Sequence, residues 1–236
     1  MAPVTEIILT PIKPDAPADV VASVLDANTQ VLLAQPGCLR VRRSPVHEDP
    51  SKMRLFVDWA SLDQHRAFAA DAAVYGPFRA KMGPIVDAGS GAGPRVPPHH
   101  AAFTPFPPAV LDVQSSATRA GVTEVLHAYF APDISEAQRS SVERTMREFV
   151  ARVEPLAGGG MTGEVALGWT VEDDVQFKGE PCRALVGLLG WTGVDAHVKT
   201  REAEGFAEVV SMLRNLEGLK GLEMCHVACT TTERGS

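Results

Sequence analysis

Val4-Thr5-Glu6-Ile7-Ile8-Leu9 is apolar and β-branched, and it predicts a strand over residues 4–12. Asp15-Ala16-Pro17 then offers an N-cap with proline in the first turn. Val20, Val21, Val24, Leu25, Val31 and Leu32 recur at helical spacing, until Gln35-Pro36-Gly37 stops the helix. A second strand over 38–46 carries Arg40 and Arg42 on one face and Arg43 on the other. A polar turn at 47–52 leads into a third strand, 53–59. Ser61, with Gln64 three residues on, predicts a capped helix that passes Phe68 and ends near Gly76-Pro77, with a further turn through Phe78 and Met82. A last strand is expected at 100–103.

The same order returns downstream. Val122-Thr123-Glu124-Val125-Leu126-His127 echoes the first strand, and Ser135–Gln138 is a capping box ahead of Val142, Met146, Phe149, Val150 and Val153. Gly158-Gly159-Gly160 ends that helix. Residues 164–170 and 183–189 read as a hairpin around the acidic loop Glu172-Asp173-Asp174. Thr192 is expected to cap the next helix, whose core face is Val209, Val210 and Leu213, and 222–230 is the last strand. Strand, helix, strand, strand, helix, strand is the ferredoxin-like unit. Its helices cover one face of the sheet, so the other face needs a partner. The expected fold is α+β, two ferredoxin-like repeats (1–110 and 122–236, joined by a linker at 111–121) forming an intrachain, pseudo-dimeric α/β barrel. Further pairing into a homodimer stays open.

A shared signature marks both copies. Trp59-Ala60-Ser61-Leu62-Asp63-Gln64-His65 returns as Trp191-Thr192-Gly193-Val194-Asp195-Ala196-His197, the same W-x3-D-x-H spacing. Three Trp and seven His in 236 residues would give about 0.09 such Trp–His pairs by chance, so duplication is the better account. A weaker anchor follows: His100-Ala101-Ala102-Phe103-Thr104 against His226-Val227-Ala228-Cys229-Thr230.

Composition narrows the classes. The net charge is −7, with 45% apolar residues, so a basic nucleic-acid footprint is not expected. No apolar run reaches membrane-spanning length. The first residues lack a basic region and a long apolar stretch, so the expectation is a cytoplasmic protein. The four Cys lie in or beside strand-like runs and read as reduced structural residues.

These residues resemble the dimeric α/β-barrel superfamily, and most closely its antibiotic-biosynthesis-monooxygenase (ABM) branch. The likeness rests on Pro36-Gly37-Cys38-Leu39, Glu48-Asp49-Pro50, and Phe56-Val57-Asp58-Trp59-Ala60-Ser61 before Asp63-x-His65. The second copy keeps Gly190-Trp191 and Val194-Asp195-Ala196-His197 but has Gly163-Glu164-Val165 where "PGC" would stand. The resemblance implies a small apolar or aromatic, polyketide-like substrate. It also implies an enzyme of secondary metabolism, most readily a cofactor-independent monooxygenase with a His base. Cyclases, decarboxylases, dehydratases and non-catalytic ligand-binding or stress proteins share the scaffold. Fold does not choose among them.

His65 and His197, near a helix start, are candidate bases or shared architecture. Trp59 and Trp191 are core residues whose indole N–H could reach a pocket. Asp63 and Asp195 fit capping. His100 and His226 sit on the matched last strands, and His99 is expected to be exposed. The copies differ where His127 and Tyr129 replace Leu9 and Pro11, and where Tyr75 corresponds to Phe206. If only one half holds a working pocket, His127, Tyr129, Trp191 and His197 would mark it. No HExxH, His-x-His or paired-carboxylate spacing appears, so no metal is expected. Nicotinamide and flavin fingerprints are absent, and Gly91-x-Gly93 lacks a phosphate-binding helix. Haem stays conceivable because a related tandem-barrel family binds it through His, but no haem signature appears.

Overall fold

The computed structural model describes residues 2–89, 97–115 and 118–235. The Gly91-x-Gly93 loop lies outside them, as do residues 116 and 117 of the expected linker. The chain divides into two compact units, Met1–His100 with Thr230–Ser236, and Ala101–Cys229.

The first repeat runs β1 (Val4–Pro11), α1 (Ala18–Leu33), β2 (Cys38–Pro45), β3 (Lys52–Trp59), α2 (Leu62–Ala70), α3 (Ala72–Met82) and β4 (His99–Thr104). β1 and β2 flank β3 in antiparallel register, with Val4 opposite Trp59 and Cys38 also opposite Trp59. Trp59 is fully buried in a cluster with Leu32, Leu33, Val41, Val57 and Phe68, so alternate strand positions meet the helices. The Pro36-Gly37 turn supports this end of the sheet. Gly37 has φ +79°, and a Cβ there would collide with the Gln64 carboxamide, so the position requires glycine. Its carbonyl accepts from Ala60 N at 2.8 Å.

The expected second helix breaks earlier than its sequence suggests. Asp71 ends α2 and caps α3 through a bond from Ala73 N at 3.1 Å, and Pro77 sits inside α3 rather than ending it. A short polar cap outcompetes proline as the punctuation here.

The second repeat runs β5 (Val122–Phe130), α4 (Glu136–Leu156), β6 (Met161–Thr170), β7 (Val175–Phe177), β8 (Glu180–Trp191), α5 (Val194–Thr200), α6 (Phe206–Arg214) and β9 (Gly221–Val227). The sheet order is β6-β8-β5-β9, with Ala101–Thr104 beside β6. The Ser135–Gln138 capping box forms as expected. The acidic loop carries the short strand β7, which pairs with β8. The α5 N-cap is Gly193, without a side-chain cap, because the Thr192 hydroxyl donates to Gly160 O at 3.2 Å instead. The expected last strand, 222–230, is two: β9 pairs with β5, and β10 (Thr230–Glu233) pairs with β2. Two ferredoxin-like α+β repeats are therefore present, as the periodicity predicts.

The cores differ. In the second repeat one continuous apolar cluster joins α4 and α6 to the sheet, through Met146, Phe149, Val153, Leu185, Leu189 and Leu213 among others. Among the described residues of the first repeat, one apolar cluster surrounds Trp59 and Phe68 and another surrounds Leu25, Ile85 and Val86.

Candidate active site

The helix-facing side of β1 places Glu6 beside the end of β3, where Trp59 Nε1 donates to Glu6 Oε2 at 3.2 Å. His65, projecting from α2, lies with Nε2 3.5 Å from the same oxygen. Its Nδ1 is 2.7 Å from His100 Nε2. Glu6 and His100 are buried and His65 nearly so. The indole and the His65 ring lie 5.0 Å apart, tilted by 36°. The second repeat rebuilds the group. Trp191 Nε1 donates to Glu124 Oε2 at 2.9 Å, and His197 Nδ1 lies 2.8 Å from His226 Nε2. Trp191 stacks on His197 at 4.4 Å and 19°.

Each W-x3-D-x-H motif thus delivers its Trp and His to a buried carboxylate, and the weak last-strand anchor delivers the second imidazole. Sequence reasoning missed Glu6 and Glu124 as site residues. The signal was an acid inside an apolar strand in both copies, within the matched Val-Thr-Glu. The Asp of the motif stays in the first helical turn in both copies.

His127 and Tyr129 do not join this group. The side chains of Leu126, Ala128 and Phe130 enter the helix-side core, so His127 and Tyr129 occupy the opposite face of β5. There Tyr129 stacks on Phe177 at 4.3 Å and its hydroxyl donates to Glu223 Oε2 at 2.8 Å. Phe206 packs against the helix-side core. His99 is 3% exposed rather than solvent-facing.

A cavity of about 130 Å3 separates the two apolar clusters of the first repeat. Glu6 and His65 reach its wall, with Leu25, Leu32, Phe68, Tyr75 and Phe78 among the apolar lining. Tyr75 meets Phe68 edge-on at 5.2 Å. Asn28 also lines it, 4% exposed. Its Nδ2 donates to Phe78 O at 3.4 Å, while Oδ1 has no hydrogen-bond partner among the described residues. Such an orphan acceptor is costly unless something else donates to it. A cleft of about 510 Å3 adjoins the cavity, sharing Thr10, Phe78 and Met82.

On the other face of the same sheet, Arg42 and Asp58 form a fully buried ion pair at 2.8 Å, and Thr5 Oγ1 donates to Asp58 at 2.8 Å. Burial pushes the Asp58 carboxyl above its ordinary pKa, and Arg42 and Thr5 oppose that only in part.

Residues 3–74 match the family model for "Antibiotic biosynthesis monooxygenase". Over those residues the chain is similar to ABM domains, and its two ferredoxin-like repeats are shared with solved two-repeat structures. A search of curated proteins finds no match. Among solved structures, an anthrone oxidase-like protein is 11% identical, with TM-score 0.62, covering 100% of this chain and 95% of its own. A candidate monooxygenase from Fusobacterium nucleatum is 10% identical, with TM-score 0.57 and coverages of 99% and 95%. A chlorite dismutase variant from Candidatus Nitrospira defluvii is 10% identical, with TM-score 0.51 and coverages of 97% and 91%. These likenesses are of fold. With the family match they support a monooxygenase-like or related α/β-barrel function. No described helix is long and apolar enough to cross a membrane. The first-repeat cavity does not suit a haem: about 130 Å3 suits one ring, not four pyrroles, and His65 and His100 face each other.

Proposed function

We propose that this chain is a cofactor-independent monooxygenase of secondary metabolism, acting in its first repeat on a phenolic, polyketide-like molecule. The observation that carries the reading is the small apolar cavity with His65, Glu6 and Asn28 in its wall. A dry cavity of about 150 Å3 accepts benzene, so a space of this size suits one aromatic ring. The rest of a larger substrate extends into the adjoining cleft.

His65 is the base. With the proton between the two rings carried on His65 Nδ1 and donated to His100 Nε2, His65 Nε2 is left as the proton acceptor, beside Glu6 Oε2. The Glu6 carboxylate stabilises the imidazolium that forms, and Trp59 Nε1 holds that carboxylate in place. Asn28 Oδ1 accepts from a substrate hydroxyl. Removal of the acidic proton gives an electron-rich phenolate or enolate, which reacts with O2 at carbon. Loss of water from the hydroperoxide leaves a carbonyl, so CH2 and O2 become C=O and H2O. Positioned proton transfer of this kind contributes about 10²–10⁴-fold. The second repeat, whose helices and sheet share one continuous apolar cluster, supports the fold rather than turnover.

Oxygen uptake with quinol or anthrone substrates tests this. Stoichiometric O2 consumption supports it. Turnover under strict anaerobiosis would replace it with a non-oxidative cyclisation, decarboxylation or dehydration by the same base. Absence of turnover in either atmosphere, with aromatic ligands still bound, would favour a non-catalytic binding protein.

A further inference from the structure

We infer that Glu124, His197 and His226 bind one divalent transition-metal ion of the zinc class. The two histidine clusters look alike in composition but differ in how their donors are aimed. In the first repeat His65 uses its two nitrogens for two directions, Nδ1 toward His100 and Nε2 toward Glu6. One donor from each of the three still lies within 4.8 Å of the others, but the two close contacts use different nitrogens of His65. In the second repeat one nitrogen faces both partners: His197 Nδ1 lies 2.8 Å from His226 Nε2 and 3.7 Å from Glu124 Oε2. There the donor atoms converge on a point.

Metal–ligand distances of about 2.0–2.2 Å, at tetrahedral to octahedral angles, put donor atoms roughly 3.0–3.5 Å apart. The imidazole pair opens by a few tenths of an ångström to meet this, and the carboxylate closes by about as much. Side-chain torsions suffice for both. Two imidazoles and one carboxylate are a donor set that zinc and neighbouring first-row ions accept.

The surroundings fit the same reading. Trp191 Nε1 donates to Glu124 Oε2, the outer-shell bond that orients a ligating carboxylate. The indole also stacks on His197 and fixes the plane of its ring. Glu124, His197 and His226 are 7%, 5% and 2% exposed, so the site suits an ion rather than an organic substrate. The ligands come from β5, α5 and β9. α5 spans seven residues, well below the length at which a helix holds itself together, and it lacks a side-chain cap. An ion tying it to two neighbouring strands would give it an anchor, and would offset the buried carboxylate's charge.

The full chain, stripped with a chelator, is to be titrated with Co2+ and then Zn2+. The expected result is a set of visible Co2+ ligand-field bands that saturate at one equivalent per chain, vanish when Zn2+ displaces the cobalt, and accompany a rise in Tm. Glu124→Gln and His226→Ala lose the bands, whereas Glu6→Gln and His100→Ala keep them. Trp191→Phe weakens affinity by about 10–100-fold, as loss of an outer-shell partner does. No saturable Co2+ binding by the unaltered chain overturns the inference. So does binding that survives His226→Ala or is lost with His100→Ala. Should His226→Ala fail to fold, His226→Asn takes its place. Turnover is read at no step, so this result stands apart from the monooxygenase reading.

Discussion

His65 Nδ1 and His100 Nε2 lie 2.7 Å apart, so one proton is shared between two rings, and the ring that carries it sets which nitrogen of His65 is basic. His65→Ala is expected to lower kcat by about 10²–10⁴-fold with the fold intact. His100→Gln, which disturbs the tautomer without removing the base, is expected to lose less and to shift the pH–rate profile. Oxygen uptake across pH, with circular dichroism as the control for folding, separates the two variants.

Asn28 offers a split between stability and activity. Its Oδ1 is buried at the cavity wall with no donor among the described residues. Asn28→Leu is expected to raise stability by about 1 kcal/mol or more, because an orphan acceptor is removed. It is also expected to raise KM for hydroxylated aromatic substrates. Urea denaturation and steady-state kinetics on the same preparation check both halves. A stabilised variant with unchanged KM would remove Asn28 from the substrate site.

Arg42 and Asp58 make a different kind of demand. Breaking a buried pair leaves a charge without compensation, so Arg42→Met is expected to cost about 3–5 kcal/mol at neutral pH. The pH dependence has a definite sign. Burial raises the Asp58 pKa in the folded protein. As pH rises, the unfolded chain therefore gives up this proton first, and the contribution of Asp58 to stability falls above about pH 4. The loss steepens in Arg42→Met, where the opposing cation is gone. Thermal unfolding from acid to neutral pH reads both effects.

The thiols should be silent in the native state. None of the four cysteines is in a disulfide, and all four are buried. For Cys38, burial first, and then the charges of Glu6 and Asp58, push the pKa up to about 12. The thiolate is the reactive form, so an aromatic disulfide reagent at mild alkaline pH is expected to find no fast-reacting Cys38 until denaturant is added.

Much of the fold was legible because the repeat supplied it twice. Val4-Thr5-Glu6 and Val122-Thr123-Glu124 mark the same strand, and Trp59 and Trp191 end matched strands one position before the turn into a helix. The Trp and His of each motif were visible for the same reason. The acid they serve was not, because one Glu in an apolar run carries no spacing signal until β1 lies beside β3. The second cluster escaped similarly: Glu124, His197 and His226 are far apart in sequence and share no short motif. The break at Asp71 was hidden behind the louder Gly76-Pro77. Among the positions where the copies differ, Tyr75 lines a cavity. His127 and Tyr129 lie on a strand whose two faces serve different neighbours, and one residue of register separates them from the histidine cluster.

The pairing of β10 with β2 bears on how the molecule is made. The β2 strand is flanked on one side by Thr230–Glu233, a segment synthesised after β5–β9 of the second repeat, and Arg40 pairs with Glu233 there. During translation the first repeat therefore waits with one flank bare while more than a hundred residues follow. Exposed strand edges invite pairing with other chains. The second repeat acts here as a long insertion inside the first, and separating the copies at the linker would leave the first repeat with an open seam.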